Sequence, residues 1–198
     1  MKKIIGLFLI CTLNLFAQEE KVQTSKEYQE ELNRSFADSL HSPLTEEDRL
    51  HFEGLDFFPI DEKYIVKAKF IKLKKQKPFD MPTTTDRKPK YIKYGELHFT
   101  IDSKDMVLTV YKNIDLSKRK GFKDYLFLPF LDATNGIETY GGGRYLDMRI
   151  PTSDEVIIDF NKAYNPYCAY NHEYSCPIVP LENELDIEIK AGVKKFHD

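Results

Sequence analysis

The 198-residue sequence has no tryptophan, three cysteines and nine glycines, and charge of neither sign dominates it. Three cysteines are too few for a small scaffold held together by several disulfides. With 29 Lys and Arg against 32 Asp and Glu, the formal net charge is −3, and no basic stripe marks a nucleic-acid partner. The lysines between Lys67 and Lys77 read as one solvated strand face. After residue 17 no apolar run is long enough to cross a bilayer. The His-Glu-x-x-His and Gly-x-Ser-x-Gly patterns are absent, as is a glycine loop ending in Gly-Lys-Ser/Thr. No internal repeat is visible, and no resident cofactor or metal is expected.

What is present starts with an address. Lys2 and Lys3 precede an apolar run from Ile4 to Phe16, and Ala17 stands before Gln18-Glu19-Glu20. That order predicts a secretory signal over residues 1–17, cleaved after Ala17, with export to the periplasm or beyond. Ile10 before Cys11 does not suit a lipoprotein anchor. Losing Lys2 and Lys3 with no acid takes the charge from −3 to −5. Cys168 and Cys176 then remain as an even pair in an exported chain, by default a disulfide.

The mature chain reads as one mainly β domain, residues 56–198, with a helical segment, residues 18–55, clasped against it. Tyr28, Leu32, Phe36 and Leu40 form one helical stripe, and Thr24 with Glu27 makes a capping box at its start. A second short helix starts at Thr45 and ends by Gly54. From Tyr64 the period changes to two: Tyr64 to Phe70, Leu97 to Ile101, Met106 to Val110, Tyr145 to Ile150, Val156 to Phe160 and Leu185 to Ile189 all alternate. Leu126 to Leu131 is apolar but carries Pro129, so it reads as an edge or irregular strand. Residues 76–89 read as a long mobile loop. About seven closely spaced strands without intervening helices predict an antiparallel β-sandwich or incomplete β-barrel.

The last third differs in composition. Asn, Tyr, Pro and Cys crowd residues 161–183, where periodicity vanishes; a segment of that length is functional or covalently tied down. Gly141-Gly142-Gly143 before Arg144 suits close approach to a ligand, with the guanidinium clamping a carboxylate or phosphate. The same residues also suit a plain turn, with Arg144 paired to Asp147 or Asp159. Asp159, Asn161 and Asn165 either orient a ligand or hold a loop through backbone hydrogen bonds. Cys168, His172 and Cys176 have a C-x3-H-x3-C spacing, which leaves disulfide, reactive thiol and zinc ligand open. The tyrosines at 140, 145, 164, 167, 170 and 174 suit a carbohydrate or aromatic pocket, but most of them read as core and loop packing.

The blocks YGGGRYLD (140–147), DFNKAYNPYCAYN (159–171), SCPIVPLEN (175–183) and IKAGVK (189–194) resemble the bacterial family known as domain of unknown function 1684. SPLTEEDRLHFEGLDFFPID (42–61) and YGELHFTID (94–102) are similar to the same family. The resemblance implies that Tyr140, Gly143, Arg144, Asp159, Asn161, Tyr164, Asn165, Pro166, Cys168, Cys176, Pro177 and Asn183 match the family's motif. It implies no activity. It also implies members without an export signal, in which the two cysteines do more than form a bridge.

These observations predict a small-molecule binding domain for an anionic ligand. Its site residues are Tyr140, Gly142, Gly143, Arg144, Asp159, Asn161, Tyr164, Asn165 and Asn183. Two alternatives stand beside it. One is a small hydrolase or transferase with Cys168 as nucleophile and Asp159 as its polar partner. The other is a disulfide-tied module that meets a protein partner in the cell envelope.

Overall fold

The computed structural model describes residues 23–196; the expected signal segment and Cys11 lie outside them. Two α-helices come first, α1 (Ser25–Ala37) and the single-turn α2 (Glu46–Leu50). Seven strands follow: β1 (Ile65–Lys72), β2 (Phe79–Asp80), β3 (Lys90–Ile101), β4 (Lys104–Asn113), β5 (Tyr125–Phe130), β6 (Arg144–Arg149) and β7 (Glu155–Asp159). The fold is mainly β, and its strands pair antiparallel in the order β6-β5-β4-β3-β1-β7, with β2 added to β3. This is one curled sheet, an incomplete barrel rather than a two-sheet sandwich.

Alternation sets the inside. Val66, Ala68 and Phe70 of β1 meet Leu97, Phe99 and Ile101 of β3, with Leu108, Val110, Leu126, Leu128, Phe130, Leu146 and Ile158 completing the core. The intervening Lys67 and Lys69 are exposed. The β3–β4 hairpin turns on Asp102 (φ 50°) and Ser103 (φ 63°), between Ile101 and its partner Lys104. A two-residue turn with both φ angles positive matches the twist of the strands it joins.

The sheet does not close on itself. Just past the end of β7, Tyr164 pairs with Tyr145 of β6 through two backbone bonds of 2.9 and 3.0 Å. Above that bridge β6 and β7 part, leaving a seam of about 150 Å³ that Tyr28 of α1 overlies. The helix is fastened at this seam: Ser25 donates to Asp159 (2.7 Å), Gln29 to the Asn161 carbonyl (2.9 Å), and Lys162 to the Gln23 carbonyl (2.5 Å). Thr24 and Glu27 form the expected capping box.

Three sequence expectations are corrected here. The helix stops at Ala37, so Leu40 lies beyond it and is exposed. Residues 76–89 are tied down: Met81 is fully buried, Thr84 donates to the Cys176 carbonyl (2.9 Å), and Ile178 donates to the Pro82 carbonyl (2.9 Å). Leu185, Ile187 and Ile189 point inward in alternation but form no strand. They cross the barrel end as an irregular segment, because their backbone bonds go to Leu131, Ala133 and the Asp132 carboxylate.

Of the edge or irregular strand expected around Pro129, β5 is the irregular one, since it lies between β4 and β6. Pro129 has no N–H, and β4 and β5 share a single paired position, Tyr111 with Phe127. Asn183 stands in for the missing ladder. Its Oδ1 accepts from the Thr109 amide (2.8 Å), and its Nδ2 donates to the carbonyls of Thr109 (2.8 Å) and Pro129 (2.6 Å).

Asn183→Ala leaves three buried backbone groups without that partner. Each orphaned group costs about 1–3 kcal/mol, so the variant loses about 3 kcal/mol or more. Urea unfolding checks this: a lower midpoint at unchanged slope is expected, and an unchanged midpoint contradicts the role.

Candidate functional site

The residues singled out in the sequence fall into three groups. The first is fully internal. Arg144, at the start of β6, is 0% exposed. Its Nη2 donates to Asp132 (2.6 Å) and to the Ile189 carbonyl (2.7 Å), while Nη1 donates to the Ala191 carbonyl. The guanidinium also lies 5.2 Å over the Phe130 ring. Its anion is therefore Asp132, not Asp147, Asp159 or a ligand. Gly143 makes the turn that delivers it: φ is +87°, and a Cβ there would sit 2.7 Å from the Phe130 carbonyl. Gly142 is exposed but underlies Tyr140, whose ring a Cβ would meet at 2.5 Å.

Asn161, Asn165 and Asn183 are likewise fully buried and bound to backbone. Asn161 exchanges two 3.0 Å bonds with the amide and carbonyl of Asp61, and Asn165 donates to the Lys194 carbonyl (2.8 Å). Asp159 caps the 3-10 turn Phe160–Lys162 through the Asn161 amide (3.1 Å) and receives Ser25 and Lys162. It lines the seam.

The second group is the thiol pair. Cys168 and Cys176 are free and both buried; the expected disulfide is not formed. The Cys168 amide donates to the Cys176 sulfur (3.2 Å), and the Tyr140 hydroxyl lies 3.9 Å from the Cys168 sulfur. Asp159 is engaged elsewhere, so the expected Cys168–Asp159 pairing does not occur. The Tyr167–Ala169 stretch is a 3-10 turn rather than a helix, and His172 is exposed. Among the described residues no three His, Cys, Asp or Glu side chains gather to hold a metal.

The third group opens onto a cleft. Strand register places Tyr125 and Phe127 of β5 beside Tyr145 and Asp147 of β6, on the face turned away from the barrel interior. The irregular segment from Tyr164 to Pro177 covers that face, and Tyr28 and Leu32 of α1 close one side. The resulting cleft holds about 380 Å³, within the range of small-molecule sites. Seven tyrosines line it, with one carboxylate, Asp147, and no Lys or Arg. Tyr125 and Tyr164 both donate to Asp147 Oδ1 (2.6 and 2.7 Å), while Oδ2 accepts no bond from the described residues. The Tyr145 hydroxyl donates to the Pro177 carbonyl, fixing the floor against the cover.

Of the expected site residues, the cleft takes Tyr164 and Cys176 alone. Asp147, Tyr28, Tyr91 and Tyr125 were not anticipated. A signal existed: β5 carries aromatic residues on both faces, and β6 adds Tyr145 on the outward one, which an open, one-sided sheet does not need.

Burial, joined by the Asp147 charge, drives the Tyr125, Tyr164 and Tyr28 hydroxyls far above the ordinary range. Burial does the same to Tyr145 and Tyr111, and pushes Tyr140 up to about 12. A raised folded pKa favours the neutral phenol, so this stability is complete below about pH 10 and is lost as pH rises toward the folded values. Alkaline titration of phenolate absorbance is therefore expected to show most tyrosines ionising only as the protein unfolds. A full step near the ordinary tyrosine value in the folded protein contradicts it.

No curated protein matches the chain. Among solved structures, the chain is similar to an uncharacterized protein of Haloarcula marismortui determined by solution NMR. The two share 33% identity with a TM-score of 0.67, over 85% of this chain and 91% of that one. The model of the family described as protein of unknown function (DUF1684) matches residues 50–194. That span holds the whole sheet, the thiol pair and the cleft apart from α1, and the chain belongs to this family.

Proposed function

We propose that the protein is a small-molecule binding domain whose aromatic cleft takes a compact organic cation, an alkyl- or arylammonium group. The observation that carries this reading is the lining itself: seven tyrosines around one carboxylate, with no Lys or Arg. A desolvated ring face attracts an ammonium ion by about 0.5–2 kcal/mol. Asp147 adds the counter-charge, with Oδ2 left to receive an N–H donor. The anionic ligand expected from Arg144 finds no support in this lining, because Arg144 is spent on Asp132.

The positive, apolar and small-residue order of residues 1–17 supports work outside the cytoplasm. A mature chain whose intact mass begins at Gln18 is the expected result, and an uncleaved chain from intact cells contradicts it.

Calorimetric titration with tetramethylammonium and benzylammonium, against acetate and phosphate, tests the ligand class. The cations are expected to bind and the anions not. Asp147→Asn is expected to weaken cation binding about tenfold, roughly 1.4 kcal/mol. Tyr164→Phe keeps the ring and costs less. Binding of anions alone, or an unchanged affinity in Asp147→Asn, overturns the reading.

A further inference from the structure

Cys168 and Cys176 are adjacent yet unequal. The Cys176 sulfur accepts the Cys168 amide at 3.2 Å, which sets the two cysteines side by side. The Tyr140 hydroxyl lies 3.9 Å from the Cys168 sulfur. A phenol hydroxyl beside the Cys168 sulfur can donate to it, which favours the thiolate there. Thr84 is held in place by mutual bonds with Cys176: its amide donates to the Cys176 carbonyl (2.9 Å), and its Oγ1 accepts the Cys176 amide (3.1 Å). The exposed Arg87 braces the same stretch through Ser175, at 2.6 and 3.0 Å.

We propose that Cys168 and Cys176 form a redox site that reduces small peroxides, Cys168 attacking and Cys176 resolving. With only 6% and 7% of their surfaces exposed, the two cysteines suit an oxidant the size of hydrogen peroxide rather than a bulky disulfide. The Cys168 thiolate attacks one peroxide oxygen and the O–O bond breaks. With one proton taken up, this gives a sulfenic acid on Cys168 and water. The Cys176 thiol then displaces the hydroxyl, forming the Cys168–Cys176 bond and releasing a second water. Two electrons pass from the dithiol to the peroxide, and an external dithiol returns them.

The charge asymmetry agrees. The Cys176 hydrogen bond, against the cost of burial and with help from Tyr140 and Thr84, holds the Cys168 thiol well below the ordinary range. Donation to Cys168, together with burial, drives Cys176 up. The reaction is therefore expected to keep its rate below neutral pH, where an ordinary thiol slows.

The test treats the reduced full mature chain with hydrogen peroxide and follows free thiols and intact mass. Both thiols are expected to disappear with a loss of two hydrogens, and dithiothreitol is expected to restore them. Tyr140→Phe is expected to slow the first step several-fold and move its pH profile upward, which a merely structural role would not do. In Cys176→Ser, dimedone is expected to trap the sulfenic acid; if that variant does not fold, the wild-type pH profile decides. The proposal is overturned if the folded thiols react no faster than those of the unfolded chain. A pH midpoint at the ordinary thiol value, or a bond that dithiothreitol cannot open, overturns it too.

Discussion

The buried ion pair between Arg144 and Asp132 holds together what the sheet alone leaves open. Both side chains have no exposed surface. Arg144 begins β6, Asp132 follows β5, and the same guanidinium takes the carbonyls of Ile189 and Ala191. Three chain segments therefore meet at one cation at the end of the barrel. Removing one partner of such a pair strands the other charge out of water, at about 3–5 kcal/mol. Asp132 is itself held on its other oxygen by the amide and hydroxyl of Thr134, at 2.8 and 2.5 Å, so the pair is anchored on both sides.

Around this anchor, side-chain amides do the work of backbone. Asn161 pairs with Asp61 as a strand residue would, Asn183 fills the gap between β4 and β5, and Asn165 takes the Lys194 carbonyl. An irregular segment fixed in this way presents its tyrosines as steadily as a strand does. That is why a cleft walled on one side by turns keeps a defined shape. It is also why two cysteines eight residues apart stay side by side without a covalent bond.

The strands and their inward faces were legible in the sequence because alternation is local: Val66, Leu97, Leu108 and Leu126 each declare their side within a few residues. The capping box at Thr24 was legible for the same reason. Roles set by distant partners were not. Arg144 behind three glycines looks identical whether its anion is a ligand or Asp132, twelve residues upstream. Asn183 shows its purpose only once Pro129 is seen to lack a donor for the strand beside it. Leu185, Ile187 and Ile189 alternate like a strand, but the backbone they pair with belongs to the turn after β5. The crowded composition of residues 161–183 marks the right region, whereas Asp147, on an outward position of β6, reads in the sequence only as a partner for Arg144.

The central claim is that the polar residues of the last third build the frame, while the tyrosine cleft around Asp147 meets the ligand. Mapping backbone amide shifts by NMR during titration with benzylammonium tests it most directly. The account predicts shifts concentrated at Tyr125, Asp147, Tyr164 and Tyr174, with Arg144 and Asn183 unmoved. Shifts centred on Gly142, Gly143 and Arg144, with the cleft silent, would contradict it.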